Sequence, residues 1–285
     1  MKKSAILRKL ISGSEPLVAP GAFDGLTTKL IEQAGFSAVY ASGGAMARAA
    51  GYPDIGLMTL SEVADRLRIM TEITSLPIIA DADTGFGSAV NARRTAKIFE
   101  QIGVAGFHIE DQEFPKRCGH LDNKGLISSK EMCHKIAAVR EGLEDKNTLV
   151  IARTDAIAVE GFEPALVRAK EYVSAGADMI FVEAPTSIEQ IEKIASAIPG
   201  PKLMNMFYGG KTPLVPKDRL KELGYNLIII PSDLQRAAIK AVQIALKAIA
   251  SNGDSSSISG QLATFQEREE IIQTKSFLKF EYNGT

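Results

Sequence analysis

The chain has 285 residues, 45% hydrophobic and 24% charged, a composition that suits a globular fold with a sizeable core and excludes disorder. Its 33 basic and 34 acidic residues leave a formal charge of -1, so there is no electrostatic surplus for a nucleic-acid backbone or an anionic membrane. No run of about 18 apolar residues occurs, charges interrupt the segment from Met1 to Lys9 where a signal peptide needs an apolar core, and Cys118 and Cys133 form no metal-type pair, so a reduced, cytoplasmic protein without structural zinc is expected.

Short apolar runs that read as buried parallel strands alternate with amphipathic helical stretches, the order of repeated βα units. In chain order, strand Leu17–Pro20 precedes helix Gly25–Ala34, Ala38–Ala41 precedes Leu60–Ile73, Ile78–Ala80 precedes Ala89–Gln101, and Gly106–Ile109 precedes Ser129–Arg140. Thr148–Ala152 then precedes Glu163–Ala175, Met179–Val182 precedes Ile188–Ala197, Lys202–Met204 precedes Lys217–Leu223, and Leu227–Ile230 precedes Leu234–Ala250. Eight such units predict an α/β fold of the (β/α)8 TIM-barrel type over residues 1–250. Gly35, Gly103 and Gly176 follow helices where a left-handed capping residue is wanted, and Ser129 is the expected N-cap of its helix. Residues 251–285 read as an extension: a flexible linker by composition from Ser251 to Ser257, then an amphipathic helical segment Gly260–Phe280 that packs on the barrel or on a neighbouring subunit.

Loops that follow strands are rich in acids, glycine and arginine, whereas loops that precede them are bland, and an α/β barrel carries its active site at the carboxyl ends of the strands. After the third strand, Asp81-Ala82-Asp83-Thr84-Gly85-Phe86-Gly87 sets two carboxylates on the same side of an extended segment, where they can share a hard cation, or cap a turn. The fourth strand ends in His108-Ile109-Glu110-Asp111-Gln112, and the next loop holds Lys116-Arg117-Cys118-Gly119-His120. There two cations flank a thiol with an imidazole beyond, which favours thiolate; the bland alternative is a solvated basic loop with an incidental cysteine. His108 within an apolar strand reads as a satisfied core residue or a neighbour of a metal-water shell, and Cys133 as packing. Tyr40-Ala41-Ser42-Gly43-Gly44 offers a hydroxyl and backbone N–H groups to a carboxylate, Arg153 a guanidinium fork, and Glu183 and Asn205 groups to orient a hydroxyl or water. Each of these could also be a structural ion pair across the barrel mouth.

These motifs, above all Lys116-Arg117-Cys118-Gly119-His120, resemble the lyase branch of the isocitrate lyase and phosphoenolpyruvate mutase superfamily from about Ala19 to about Ala250. The resemblance implies Mg²⁺, with Mn²⁺ as a substitute, held through Asp83 and the neighbouring acids Asp81 and Glu110. It implies that carboxylates of a small-molecule substrate meet Ser42, Gly43, Gly44, Arg153, Gly119 and His120, with Asp54 on the adjoining loop, and that Asn205, Thr212 and Asp233 also belong to the substrate-binding set. Lys116, Cys118 and His120 become catalytic, with Cys118 the general acid of a retro-aldol cleavage and Tyr40 or Glu183 handling the hydroxyl proton. A homotetramer with swapped C-terminal helices is the family expectation. Asn205-Met206-Phe207-Tyr208-Gly209-Gly210-Lys211-Thr212-Pro213 departs from the 2-methylisocitrate lyase pattern toward 2,3-dimethylmalate lyases, oxaloacetate hydrolases and carboxyphosphonoenolpyruvate mutases, the last two being the alternative activities. Asp233, facing the pocket, would repel a third substrate carboxylate unless paired, as with Arg236, so a dicarboxylate rather than a tricarboxylate substrate is expected.

Overall fold

The computed structural model describes residues 1–119, 121 and 123–282, so His120 lies outside the described residues. α1 (Lys3–Ile11) leads into β1 (Leu17–Ala22), α2 (Gly25–Gln33), β2 (Val39–Ala41), α3 (Gly43–Ala49) and α4 (Leu60–Ile73). β3 (Ile78–Asp81), α5 (Ala89–Gln101), β4 (Gly106–Glu110), α6 (Ser129–Gly142), β5 (Leu149–Thr154), α7 (Phe162–Ser174), β6 (Met179–Val182) and α8 (Ile188–Ala197) follow. β7 (Lys202–Asn205), α9 (Lys217–Glu222), β8 (Leu227–Ile230), α10 (Asp233–Asn252), α11 (Phe265–Ile271) and α12 (Thr274–Tyr282) complete the chain. The strands pair in parallel in sequence order and β8 closes on β1, with Leu17 opposite Leu227 and Pro20 opposite Ile230. No described helix is long and apolar enough to cross a membrane.

The period of two along each strand divides the core into two shells. Leu17, Tyr40, Ile79, Ile151, Met179, Phe181, Leu203 and Ile229 fill the barrel interior, while Val39, Ala80, Phe107, Ile109, Val150, Ile180 and Ile228 pack outward against the helices. Leu7 and Ile11 of α1 join the interior shell and seal the amino-terminal end, each contributing roughly 1.5–3 kcal/mol by burial. Gly106 fits between that plug and β5, since a Cβ there would lie 2.7 Å from Leu149 Cβ and 3.1 Å from Leu7 Cδ2. The inward parity, carried two residues further up, belongs to Asp81, His108, Glu110, Arg153, Glu183 and Asn205. Register sets Asp81 beside His108 and Glu110 beside Arg153.

Several strands run one or two residues beyond their expected ends, so Asp81, Glu110, Arg153 and Asn205 sit on strands rather than in loops. Gly35, Gly103 and Gly176 take the positive φ expected of caps, at 83°, 86° and 109°. Ser129 is not the N-cap of α6. Ser128 holds that position in extended conformation and accepts the Glu131 N–H at 3.2 Å, while Ser129 is the first helical residue. Across the expected linker α10 continues through Asn252, Gly253 ends it at φ 80°, Asp254 accepts the Ser256 N–H, and residues 256–261 form 3-10 turns kinked at Ile258. Gly260–Phe280 resolves into α11 and α12, which leave Phe265, Phe277 and Phe280 exposed.

Candidate active site

The carboxyl ends of the strands surround a cavity of about 350 Å³. Tyr40, Asp81, Arg153, Phe181, Glu183 and Asn205 reach it from strands or their ends, Ser42, Gly44 and Asp54 from the segment after β2, and Lys116, Cys118 and Gly119 from the loop after β4. Two larger hollows of about 530 and 780 Å³ flank α1 and contain none of the expected site residues.

Asp81, His108 and Glu110 form a buried triad whose ligand atoms all lie within 4.8 Å of one another. Both Glu110 oxygens are buried without a hydrogen bond, although Oε2 lies 3.3 Å from Arg153 Nε. Burial pushes the Glu110 carboxyl well above its ordinary range against the pull of Arg153 and Lys116. Burial acts on Asp81 the same way, yet His108, Lys116 and Arg153 hold it below the usual carboxylate value. Asp83, in the left-handed region at φ 46°, is pushed up to about 6 by burial, with Lys116 opposing and Asp81 adding to the rise. Burial lowers the His108 pKa against the pull of Asp81; its Nε2 shares a hydrogen bond with Tyr40 Oη at 2.8 Å, and its Nδ1 has no hydrogen-bond partner among the described residues. Clustered acids, one with both oxygens unsatisfied, fit a hard divalent cation whose charge would return the raised carboxyls to carboxylates.

The cysteine loop is tied down at several points. Lys116, almost fully buried, places Nζ 2.5 Å from Asp54 Oδ1 and 2.6 Å from Asp83 Oδ1. Gln112 imitates a strand partner, donating to the Arg117 carbonyl at 2.8 Å and accepting its N–H at 2.9 Å, and the Cys118 N–H donates to Asp54 O at 3.1 Å. Lys124 bridges the Gly119 carbonyl at 2.5 Å and Asp155 Oδ1 at 2.8 Å. A Cβ on Gly119 would lie 2.5 Å from Arg153 Nη2 and 2.7 Å from Glu183 Cδ, so only glycine lets the loop come this close.

Arg153 is gripped by Asp155 through Nε at 2.9 Å and Nη2 at 3.1 Å, and its guanidinium lies 5.2 Å over the Phe181 ring, 3.7 Å from Glu183 Oε2. Ser42 caps α3, accepting the Ala45 N–H at 3.3 Å, and Gly43 and Gly44 open that helix. Cβ atoms there would meet Asp81 Oδ2 at 2.7 Å and Asp54 Oδ2 at 2.5 Å. Asn205 lines the cavity with Oδ1 buried and unsatisfied. Thr212 is buried outside the cavity lining. Asp233 does not face the pocket: it opens α10, accepts the Tyr208 N–H at 3.4 Å and pairs with Arg236 at 3.3 Å, and Arg236 is the residue that lines the cavity. Cys133 packs against the outer shell, as expected.

The sequence reading did not single out Arg48, Lys124, Asp155 or Gln235. No local pattern marks them, because their partners are brought in by other elements.

Over residues 7–250 the chain matches the phosphoenolpyruvate phosphomutase family. It is 43% identical over 267 residues to the 2-methylisocitrate lyase of Aeropyrum pernix, covering 94% of this chain and 86% of that one. It is 39% identical over 284 residues to the 2,3-dimethylmalate lyase of Eubacterium barkeri, covering 99% and 98%. A solved phosphonopyruvate hydrolase in complex with oxalate and Mg++ superposes with a TM-score of 0.90 at 29% identity, covering 99% and 98%. With eight parallel strands closed in chain order and an acid cluster at their carboxyl ends, the chain belongs to the phosphoenolpyruvate phosphomutase family, and it groups there with the carbon–carbon lyases of the isocitrate lyase and phosphoenolpyruvate mutase superfamily.

Proposed function

We propose that this enzyme is a Mg²⁺-dependent lyase that splits a carbon–carbon bond of a small 2-hydroxy di- or tricarboxylate of the 2-methylisocitrate or 2,3-dimethylmalate type and releases an α-keto acid such as pyruvate. One observation carries the reading: the buried triad of Asp81, His108 and Glu110, with both Glu110 oxygens free of hydrogen bonds, meets the cavity through Asp81, and Cys118 lines that same cavity. Asp81, Asp83 and Glu110 are the residues to hold the cation, directly or through water, with His108 behind them; the donor set also suits Mn²⁺. The solved relative with oxalate and Mg++ supports that choice. Bound there, the cation supplies Lewis-acid stabilisation of negative charge developing on substrate oxygen.

Arg153, with Nε and Nη2 committed to Asp155, offers its remaining nitrogen to a substrate carboxylate, and Ser42 and Asn205 complete a polar lining. Of the two groups considered for the hydroxyl proton, Tyr40 is kept a phenol by burial and is fixed to His108, so Glu183 is the better acceptor. The Cys118 thiol, lining the same cavity, delivers a proton to the carbon left by bond cleavage. With Asp233 already neutralised by Arg236, its charge gives no reason to exclude a tricarboxylate. Cys118 and Cys133, which form no disulfide, support a reducing, cytoplasmic setting, and the exposed apolar side chains Val242, Leu246, Phe277 and Phe280 support assembly of a homo-oligomer, a tetramer in this reading.

The test is a panel of 2-methylisocitrate, 2,3-dimethylmalate and oxaloacetate with and without Mg²⁺, both products being read, and with Cys118→Ser as control. Pyruvate release from a hydroxy acid, lost in the variant or without the cation, is expected. Oxalate release from oxaloacetate with no hydroxy acid cleaved would replace this reading with the hydrolase one.

A further inference from the structure

Three arginines line the cavity, and two are already engaged: Arg153 with Asp155, and Arg236 with Asp233 and the Tyr208 carbonyl. The third, Arg48 on α3, commits only Nε, which donates to Gln235 Oε1 at 2.9 Å. Gln235 is buried at the start of α10, and its amide nitrogen donates to Ala45 O at 2.8 Å, so the acceptor that aims Arg48 is itself fixed at both ends. Among the described residues neither Nη of Arg48 meets an acceptor.

A Cβ built on Gly44 would lie 3.3 Å from Arg48 Nη1 and 2.5 Å from Asp54 Oδ2, so the guanidinium stands beside the glycine step that floors the cavity. Asp54 is a weak rival for it, because Lys116 already meets the Asp54 charge at 2.5 Å. Phe207, Ile229, Pro231 and Ile239 give the cavity an apolar stretch of wall that suits alkyl carbon, and among the described lining residues Arg48 is the cation with no anionic partner. A planar guanidinium anchored through Nε presents its two outer nitrogens to a carboxylate as a fork.

We propose that Arg48, oriented by Gln235, takes the substrate carboxylate remote from the Asp81–Glu110 cluster, so that a second acid group is a specificity requirement of this site. The inference rests on the lyase reading, and its test separates the two. Calorimetry in Mg²⁺ buffer compares succinate, which has two carboxylates, with pyruvate, which has one, on the wild type, Arg48→Met and Gln235→Leu. Arg48→Met weakens succinate by about 10- to 100-fold, the value of a charge-assisted hydrogen bond, and leaves pyruvate unchanged. Gln235→Leu weakens succinate less, since the charge remains but its aim is lost. With a cleaved substrate, KM rises in Arg48→Met while kcat holds. Equal losses for both ligands, an unchanged succinate affinity, or a wild type that ignores succinate would each overturn the proposal. A wild type that cleaves no hydroxy acid would remove the lyase reading while the calorimetry still decides the role of Arg48.

Discussion

Replacing Asp155 by asparagine removes one charge from behind the site while keeping its shape. Asp155 is 1% exposed and accepts from Arg153 Nε at 2.9 Å, from Arg153 Nη2 at 3.1 Å and from Lys124 Nζ at 2.8 Å. Its backbone N–H is held by Asp111 Oδ1 at 2.9 Å, so the side chain has no freedom to move away. Asparagine keeps one acceptor oxygen and leaves two buried cations without their shared anion, a change that costs about 3–5 kcal/mol. At about 2–4 °C per kcal/mol for a chain of this size, the melting temperature falls by roughly 6–20 °C. Burial alone would raise the Asp155 pKa, but Arg153 and Lys124 hold it at about 2 against an ordinary 3.8. A carboxyl lowered in the folded state stabilises at pH above its unfolded value, and that contribution fades as pH falls through the folded value. The stability difference between wild type and Asp155→Asn is therefore flat from neutral pH down to about 4 and shrinks by about 2–3 kcal/mol toward pH 2. Urea titrations across that range and scanning calorimetry measure both effects. A melting temperature unchanged at pH 7, or a difference that persists undiminished at pH 2, would refute the charge-pairing argument.

Gly119→Ala pushes a methyl into Arg153 and Glu183, so kcat/KM falls by at least about tenfold, equivalent to the low end of overpacking costs, with little change in melting temperature. In a thermal-shift titration, Mg²⁺ raises the melting temperature of the wild type; Glu110→Gln abolishes that rise, and a rise of equal size in the variant would argue against Glu110 as a ligand. Cys118→Ser retains substrate binding and folding but loses product formation by more than about 100-fold, read by stopped assays beside calorimetric affinity. Ser128→Ala destabilises by about 1 kcal/mol and Ser129→Ala by clearly less, which checks the reassigned cap by urea titration.

The barrel was legible because each strand is a compact apolar run followed by a helical period, and because the inward parity extends from Ile79 to Asp81, from Ile151 to Arg153 and from Phe181 to Glu183. Local chemistry therefore located the acids, Arg153 and the cysteine loop. What stayed hidden depends on distant partners. Lys116 reads as a base beside a thiol, yet its ammonium serves Asp54, 62 positions earlier, and Asp83; Arg48 meets Gln235 187 positions later. α3 was missed because Gly43-Gly44 has poor helix propensity and the Ser42 cap sets its start instead. α1 was missed because its charged start was weighed against export rather than for packing, although Leu7 and Ile11 share one helical face.

Because packed side chains fill the barrel interior beneath the cavity, with α1 below them, the cavity has its mouth at the carboxyl ends of the strands. Reactant and both fragments must use it in turn, and whichever fragment sits against Asp81 and Glu110 is blocked by the other until that one departs. Release is thus ordered by depth. The fragment that stays with the acid cluster competes directly with substrate in product-inhibition plots, whereas the outer fragment inhibits noncompetitively.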